Sequence, residues 1–262
     1  MLKINNIYKT FNKGTITEKH ALNGVSFTIN DGDFITVIGS NGAGKSTLLN
    51  AIAGIWPVDS GSIEIDGEDV SALPEYKRAA YIGRVFQDPM TGTAASMQIE
   101  ENMALAARRG KSRGLKVGIT NKEREKYKEM LKELNLGLED RLASKVGLLS
   151  GGQRQALTLL MATIQEPKLL LLDEHTAALD PKTASTVLDT TRKLVEEHHL
   201  TTFMVTHNMK DALKYGNRLI MMCNGKIIFD VEGEEKKKLE VADLLKKFDT
   251  AGGVVTDAMM LG

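Results

Sequence analysis

The sequence is poor in cysteine, tryptophan and proline, and it carries no excess charge of either sign. Its 262 residues include one cysteine, Cys223, one tryptophan and five prolines, and 34 basic residues balance 34 acidic ones. A single cysteine excludes an internal disulfide and a cysteine-based metal cage, and it is typical of proteins in a reducing compartment. Because the formal net charge is zero, no global field attracts nucleic acid or anionic lipid, and we expect any such contact to be local.

Long apolar runs are missing as well. No stretch approaches the roughly 20 apolar residues that span a bilayer, and the N-terminus MLKINNIYKT lacks the apolar core of a secretory signal. We therefore expect that the chain does not cross a membrane by itself. The composition, 42% hydrophobic and 26% charged, is that of an ordinary globular protein. The length predicts a single domain over residues 1–262 that buries a sizeable core.

Strand and helix patterns alternate along the chain. ALNGVSFTIN and SGSIEIDGEDV resemble half-exposed strands, and the second turns at Asp66-Gly67. The continuous apolar run from Phe34 to Ile38 is typical of a strand covered on both faces. Further strand-like runs, KLLLLD, TTFMVTH and RLIMMCNGKIIFD, are separated by helical segments. This alternation predicts an α/β fold with a mostly parallel sheet wrapped by helices.

Helical patterns are predicted from Lys45 to about Ala53, over 97–135 with an interruption at 108–118, and from Gln153 to Ile164. The interruption, RRGKSRGLKVG, is a basic patch that is either a solvated loop or a contact for lipid headgroups or a membrane partner. The run EGEEKKKLE at 232–240 is predicted to be a solvated surface stretch.

The glycine-rich stretch GSNGAGKST follows a buried strand and opens a helix. This is the context that confirms a phosphate-binding loop, because glycines let successive amides face inward and the helix N-terminus adds positive dipole. Lys45 is placed to neutralise the β and γ phosphates, and the Ser46 hydroxyl to hold Mg²⁺. An ordinary glycine-rich turn with an exposed lysine is the alternative. The predicted ATP-binding residues of this loop are Gly39, Ser40, Asn41, Gly42, Ala43, Gly44, Lys45, Ser46 and Thr47.

The stretch LLLLDEHTAALDP, residues 169–181, ends an apolar run in two carboxylates and a histidine. Metal ligation, general base catalysis, a histidine–acid pair and a helix cap before Pro181 are the alternatives. Beside a phosphate loop, Asp173 can hold Mg²⁺ through water, and Glu174, one residue past the strand end, can reach the attacking water. A helix cap explains the position of the acids but not the preceding leucines.

A second glycine turn, LLSGGQRQ at 148–155, also opens a helix. It is either an ordinary cap with Ser150 at the N-cap, or a second anion site in which Ser150 and the amides of Gly151 and Gly152 grip phosphate. One bound nucleotide does not by itself require two glycine-rich anion-binding turns in the same chain.

Taken together, these motifs resemble those of the nucleotide-binding subunits of ATP-binding cassette (ABC) transporters, over most of the chain. GSNGAGKST resembles the Walker A loop, LLLLDE the Walker B strand, and LSGGQ the family signature. The resemblance implies a P-loop NTPase core with an N-terminal antiparallel β subdomain and an inserted helical subdomain. We expect the core at about 1–87 and 165–262 and the helical subdomain at about 88–164.

The resemblance also assigns roles to residues outside these three motifs. Gln87 in VFQDP matches the Q-loop, which contacts Mg²⁺ and water and senses the membrane partner. Asp180 matches the D-loop, and His207 in MVTHN the switch histidine at the γ-phosphate, although a lone histidine after a strand is often only a hydrogen-bonded loop residue. Phe11 matches the aromatic residue that stacks on adenine, with a core or surface aromatic as the alternative.

In this family two subunits pack head to tail, so that the signature of one covers the γ-phosphate held by the other. That arrangement explains why the chain has a second anion-binding turn, at 148–155. The resemblance therefore adds the signature residues to the ATP-binding set: Ser150, Gly151, Gly152 and Gln153.

Two departures from the family pattern concern His175 and the helix after the signature. Family members often have proline and serine where this chain has His175 and Ala177. We predict a structural role for His175, because neighbouring side chains on an extended segment point apart and His175 would face away from Glu174. The helix segment ALTLLMATI lacks the arginines common there.

The resulting functional prediction is a cassette ATPase that binds ATP and Mg²⁺, with Glu174 and His207 as catalytic residues. We expect a homodimer or a paired ATPase subunit, integral membrane permease subunits, and an extracytoplasmic solute-binding protein. The absence of fused membrane helices resembles a prokaryotic importer, and DEHTAALDP resembles ATPases paired with permeases of the branched-chain amino acid type. We expect a peripheral position on the cytoplasmic face of the membrane.

Transport has two alternatives. The first is a soluble ATPase of a scaffold complex such as iron–sulfur cluster assembly, which would carry the same nucleotide motifs. The second is nucleic-acid mechanics, which the neutral charge disfavours. For a transporter, the methionine-rich segment DPMTGTAASMQIEENMAL suits an adaptable docking groove that includes Met97 and Met103.

Overall fold

Two sheets organise the computed structural model, which describes residues 1–111 and 118–251. The first sheet has the strand order β2-β1-β4-β5 and is antiparallel throughout. The second has the order β10-β9-β3-β8-β7-β6, in which only the β10–β9 pair is antiparallel. The strands are β1 (Leu2–Phe11), β2 (Lys19–Ile29), β3 (Phe34–Gly39), β4 (Ser60–Ile65), β5 (Glu68–Asp69), β6 (Ile82–Val85), β7 (Leu169–Asp173), β8 (Thr202–Val205), β9 (Arg218–Cys223) and β10 (Lys226–Glu232).

Helices connect the parallel strands and cover the second sheet. The helix predicted from Lys45 to about Ala53 has those bounds, and Asp66-Gly67 joins β4 to β5 as predicted. The helices are α1 (Lys45–Ala53), α2 (Glu75–Arg78), α3 (Ile99–Ala106), α4 (Asn121–Lys132), α5 (Gly151–Thr163), α6 (Pro181–Glu197), α7 (Met209–Lys214), α8 (Gly233–Lys237) and α9 (Val241–Thr250). A short 3-10 turn, Val146–Leu148, precedes α5.

The four leucines of β7 are buried because both faces of this strand are covered. Leu169 and Leu171 pack with the apolar side chains of α1 and of the antiparallel sheet. Leu170 and Leu172 point the opposite way and pack with α5 and the neighbouring helices. Alternation of side chains along a strand therefore places one strand in two hydrophobic clusters, as expected for a central parallel strand.

The ends of the parallel strands bring the predicted site residues to one edge of the second sheet. Val37 of β3 and Asp173 of β7 both pair with Val205 of β8, and Leu172 pairs with Val85 of β6. Four parts of the site follow strands that end at this edge. The phosphate loop follows β3, Gln87 follows β6, Glu174 follows β7 and His207 follows β8. Open α/β sheets bind ligands at this edge.

Two sequence predictions need correction. Lys236, within the run expected to be solvated, is 3% exposed, and its ammonium donates to the carbonyl oxygens of Tyr215 and Gly216. Met103 faces the hydrophobic core and has no exposed surface, because α3 turns it toward α4 and α5. Met103 therefore cannot line a docking groove.

The predicted basic patch at 108–118 lies partly outside the described residues, which omit 112–117. Within the described part, Arg108 bonds Glu123 at 2.7 Å and the Gly118 carbonyl at 2.6 Å. No helix in the described ranges 1–111 and 118–251 is both long and apolar enough to cross a bilayer.

Candidate functional site

The phosphate loop connects β3 to α1 and lines a pocket of about 240 Å³. Gly44 at the N-cap of α1 has φ 104°, and a Cβ there would lie 2.5 Å from the Ala21 carbonyl oxygen of β2. Only glycine fits this close approach with this backbone conformation. No side chain in the described part of the chain caps the N-terminus of α1, so the first amides of this helix can bind an anion. The pocket is lined by Lys19, Ala21, Asn41, Gly42, Ala43, Gly44, Lys45, Ser46, Thr47 and Glu174.

Lys45 is folded back over the loop that carries it. Its side chain is buried, and Nζ donates to the carbonyl oxygens of Gly39 at 2.6 Å and Ser40 at 3.3 Å. Burial lowers the pKa of Lys45, whereas the charges of Glu174 and Asp173 raise it. The ammonium group is thus already desolvated, and Lys45 lines the pocket together with a second lysine, Lys19.

Asp173, the last residue of β7, is held by an arginine. Arg84 of β6 donates from Nη2 to Asp173 Oδ2 at 3.2 Å and to Asn50 Oδ1 at 2.8 Å. Burial raises the pKa of Asp173, and the Arg84 charge opposes that rise. The carboxylate is therefore balanced by Arg84, and Lys45 contributes in the same direction.

Glu174 directly follows the strand in an uncommon backbone conformation. Its φ is 44°, in the left-handed region, while its amide still donates to the Val205 carbonyl at 3.0 Å. Residues held in this region cluster at functional sites. Its carboxylate lies 3.8 Å from Nδ1 of His207, and this contact and the Lys45 charge lower the pKa of Glu174. An ionised carboxylate beside a phosphate pocket is suited to act as a base.

His175 points into the core, as the structural assignment predicts. It is 2% exposed, and its Nε2 lies 3.1 Å from the Thr191 hydroxyl of α6. Since that hydroxyl donates to the Val187 carbonyl at 2.8 Å, we assign Nε2 as the protonated donor nitrogen. The reason for the orientation differs from the one inferred from sequence: the chain is not extended here, because Glu174 turns it.

Burial lowers the pKa of His175 from 6.5 to about 4. As the pH falls below 6.5, His175 therefore binds a proton in the unfolded chain but not in the folded one. The free energy of unfolding decreases until the pH reaches about 4, where the folded chain also binds the proton. We expect this residue to cost the wild type about 2 kcal/mol of unfolding free energy between pH 7 and pH 5. Urea unfolding should show a smaller loss in His175→Gln, which keeps a donor for Thr191. Equal losses in both proteins would mean that His175 is not buried in neutral form.

The signature turn caps α5. Ser150 accepts from the Gln153 amide at 3.3 Å, and Gln153 Oε1 accepts from the Ser150 amide at 3.2 Å. The side chains of Ser150 and Gln153 thus form a capping box, which is the ordinary helix cap that the sequence offered as one alternative. Ser150 and Gly151 are nevertheless exposed, and none of the signature residues lines the phosphate-loop pocket of the same chain.

The signature also packs against the segment that contains Asp180. A Cβ on Gly152 would overlap the methyl carbon of Thr183, so a larger residue here would displace that side chain. Asp180 is the N-cap of α6 and accepts from the Thr183 amide at 3.1 Å. The D-loop residue and the signature therefore form one continuous surface.

Gln87 and Phe11 lie at the margins of the site. Gln87 is exposed just after β6. Phe11 ends β1 opposite Lys19, a residue that lines the phosphate-loop pocket, and its ring meets Trp56 edge-on at 5.0 Å. The ring is half-buried, so the surface-aromatic and adenine-stacking alternatives both fit its position.

Sequence reasoning missed three residues near this site. Lys19 lines the phosphate-loop pocket, Arg84 binds Asp173, and Gln155 donates at 3.3 Å to the carbonyl of Phe86, next to Gln87. A signal existed for Arg84 alone, because a charged residue interrupts the apolar strand YIGRVF. Lys19 and Gln155 depend on tertiary contacts that no local pattern specifies.

The chain is similar to known proteins over most of its length. A sequence profile of the ABC transporter family matches residues 22–177. A tyrosine transport ATP-binding protein of Clostridioides difficile (strain R20291) is 47% identical over 251 residues, covering 96% of this chain and 100% of that protein. A phosphonates import ATP-binding protein of Halobacterium salinarum is 32% identical, covering 100% of this chain and 87% of that protein. The chain therefore belongs to the ABC transporter family, as one of its ATP-binding subunits.

Solved structures of cassettes have the same fold. The ADP conformation of the cassette MJ1267 superposes with a TM-score of 0.78 at 29% identity, covering 95% of this chain and 98% of that one. A dimeric cassette, MJ0796 bound to ADP and Pi, gives 0.75 at 31% identity, covering 88% and 98%. The predicted fold class, with its antiparallel sheet and mostly parallel sheet, is confirmed. The chain is an ATPase that binds ATP, as cassettes of this family do.

Proposed function

We propose that this ATPase closes head to tail around two ATP molecules and powers a separate membrane permease that imports an amino acid. One observation carries the dimer: the signature surface and the phosphate-loop pocket of one chain do not meet. A signature with exposed Ser150 and Gly151 beside Asp180 is therefore available to a second copy. The dimeric cassette bound to ADP and Pi supports this arrangement.

Within each site, the donor set fits a hydrated Mg²⁺. Ser46, Gln87 and Asp173 supply hydroxyl, amide and carboxylate oxygens, and Mg²⁺ prefers oxygen ligands while keeping several waters. Asp173 has one oxygen bonded to Arg84 and no described hydrogen bond to the other. The metal, when bound, would neutralise charge on the phosphate oxygens. Lys45 and the free amides of α1 would hold the triphosphate.

Water activation falls to Glu174 in this proposal. Its carboxylate lines the phosphate-loop pocket, its lowered pKa keeps it ionised, and His207 lies 3.8 Å away. Glu174 would accept the proton of the attacking water, and His207 would orient that carboxylate and contact the γ-phosphate. His175 takes no part, because it is buried on the far side of the turn.

The permease would dock in a groove between the Gln87 segment and the helices before and after the signature. The groove has a volume of about 390 Å³ and is lined by apolar side chains such as Phe86, Leu105 and Met161. Leu105 of α3 is 53% exposed. Gln155 of α5 donates a hydrogen bond to the Phe86 carbonyl, next to Gln87. A movement of α5 caused by the docked permease would therefore displace Gln87 at the nucleotide site.

The proposed substrate class is an amino acid. The support is the tyrosine transport protein of Clostridioides difficile, whose full length this chain matches. An extracytoplasmic solute-binding protein would deliver the amino acid. The chain itself would lie peripherally on the cytoplasmic face of the membrane, held there by the permease.

Leu105→Asp tests the docking and the transport together. A charge placed in an apolar interface should reduce recovery of the permease with the tagged ATPase by about tenfold, with a parallel loss of labelled tyrosine uptake. Nucleotide binding to the isolated subunit should persist, because an exposed side chain contributes little to folding. Tyr76→Asp, at another exposed apolar residue outside the groove, is the matched control.

Three results would contradict the proposal. Recovery of a soluble scaffold complex without a permease would favour the alternative class of ATPase. Unchanged permease recovery with Leu105→Asp would remove the groove from the interface. Normal tyrosine uptake in cells that lack the ATPase would exclude tyrosine as the substrate.

A further inference from the structure

Arg84 joins three elements of the nucleotide site. It lies in β6, three residues before Gln87, and its side chain is 11% exposed. Nη2 donates both to Asn50 of α1, the helix that begins at the phosphate loop, and to Asp173 at the end of β7. A single nitrogen thus connects the phosphate-loop helix, the Q-loop strand and the Walker B carboxylate.

The remaining donors of this guanidinium are costly to bury. Nε and Nη1 have no hydrogen-bond partner among the described residues, although the group stacks over the Phe86 ring at 4.6 Å. Burying a donor without a hydrogen-bond partner costs free energy, and stacking on an aromatic ring offsets that cost only in part. The two unpaired nitrogens contribute no hydrogen bond to the fold, so hydrogen bonding within the fold does not by itself explain the arginine.

A second buried arginine shows what a structural role looks like. Arg78 donates from Nε, Nη1 and Nη2 to four main-chain carbonyl oxygens, two of them at the end of α1. It touches no residue of the nucleotide site through these bonds. Arg84 does the opposite: among the residues that the structure describes, two of its nitrogens have no partner, and the third bonds Asn50 and a carboxylate at the site.

We infer that Arg84 is a positioning residue that fixes the Asp173 carboxylate for metal binding. The inference rests on the proposed role of Asp173 at Mg²⁺. The Asp173 side chain ends a strand and could rotate about its single bonds, and the bond from Arg84 to Oδ2 selects one orientation. Asn50 holds the guanidinium in place from the other side.

Charge alone would predict the opposite effect, because a guanidinium repels a metal ion. Orientation should prevail for two reasons. The metal arrives with a triphosphate whose negative charge exceeds that of the cation, so the nucleotide complex is not repelled. Partners that hydrogen-bond a ligating carboxylate typically strengthen metal binding by about 10–100-fold.

The test measures how ATP binding depends on Mg²⁺ concentration, with a fluorescent non-hydrolysable ATP analogue as the probe. In Arg84→Met, the Mg²⁺ concentration that gives half of the metal-dependent gain in affinity should rise about tenfold or more. Affinity in EDTA should stay within about threefold of wild type, because Lys45 and the loop amides are unchanged. Arg84→Lys keeps the charge and a donor nitrogen but loses the planar guanidinium that stacks over Phe86, so its Mg²⁺ requirement should lie between those of the wild type and Arg84→Met.

Controls separate this inference from a loss of stability and from the proposed site itself. Arg78→Lys should lower the unfolding temperature without moving the Mg²⁺ dependence. Asp173→Asn should raise the Mg²⁺ concentration needed for half of the gain in affinity at least as much as Arg84→Met does. If Asp173→Asn moves it and both Arg84 variants leave it unchanged, or lower the Mg²⁺ requirement, the positioning role is wrong. If Asp173→Asn has no effect either, the metal assignment of Asp173 fails, and the inference fails with it.

Discussion

Replacement of Glu174 by glutamine is expected to slow ATP hydrolysis by about a hundredfold to ten-thousandfold, the usual contribution of a general base. Glutamine preserves the size of the side chain and most of its hydrogen bonding, but it cannot accept the proton of the attacking water. ATP binding should survive, because Lys45 and the phosphate loop are untouched. Phosphate release at saturating ATP and Mg²⁺ measures the loss.

The same variant should accumulate a dimer that traps ATP. If each ATP lies between the phosphate loop of one subunit and the signature of the other, blocked hydrolysis removes the step that separates them. Size-exclusion chromatography with ATP and Mg²⁺ should show this dimer for Glu174→Gln and a monomer without nucleotide. A signature change such as Ser150→Arg in the Glu174→Gln background should abolish the dimer while leaving the phosphate loop intact.

The matched control for Glu174 is its neighbour. His175→Ala removes an adjacent ionisable group that faces Thr191 in the core, so the folded variant should keep most of its turnover. Normal hydrolysis by Glu174→Gln would exclude this carboxylate as the base. A folded His175→Ala protein as inactive as Glu174→Gln would instead assign the base to the histidine.

The central strands and the phosphate loop were predictable because each is specified locally. Four consecutive leucines suit a strand with both faces covered, and glycines followed by Lys45 suit a turn from a strand into a helix. The sheet then fixes which residues meet, since parallel strands end at one edge. Glu174 and His207 lie 33 residues apart in neighbouring loops, yet strand order alone predicts their proximity.

The errors have a common physical origin in side-chain direction. Lys236 sits in a charged run, yet its ammonium reaches two carbonyls that belong to the turn after α7. Met103 shares a methionine-rich segment with residues that do face the groove, but the turn of α3 sends it inward. Arg84 can be noticed in the sequence as a charge within an apolar strand, but its partners cannot be predicted there, because they come from two distant elements. Composition reports what a segment contains, whereas tertiary packing decides which way each side chain points.

Replacement of Lys45 by alanine should weaken nucleotide binding by roughly a hundredfold, the loss expected for strong hydrogen bonds from a charged donor. The buried ammonium is the cation that the loop itself places in the pocket, held by the carbonyl oxygens of Gly39 and Ser40. Since burial has already removed its water, little further desolvation opposes its contact with phosphate. Titration with the fluorescent ATP analogue in EDTA isolates this contribution from that of the metal.

Lys19 provides the comparison that decides whether Lys45 acts by position or only by charge. Both lysines line the same pocket, but Lys19 is exposed and Lys45 is buried. A screened surface charge contributes about 1 kcal/mol or less, so Lys19→Ala should weaken binding by no more than about fivefold. Lys45→Ala should also remain monomeric with ATP and Mg²⁺, even when combined with Glu174→Gln. Equal losses of nucleotide affinity in Lys19→Ala and Lys45→Ala would mean that the pocket binds phosphate through its overall positive charge. The position of Lys45 in the loop would then not matter.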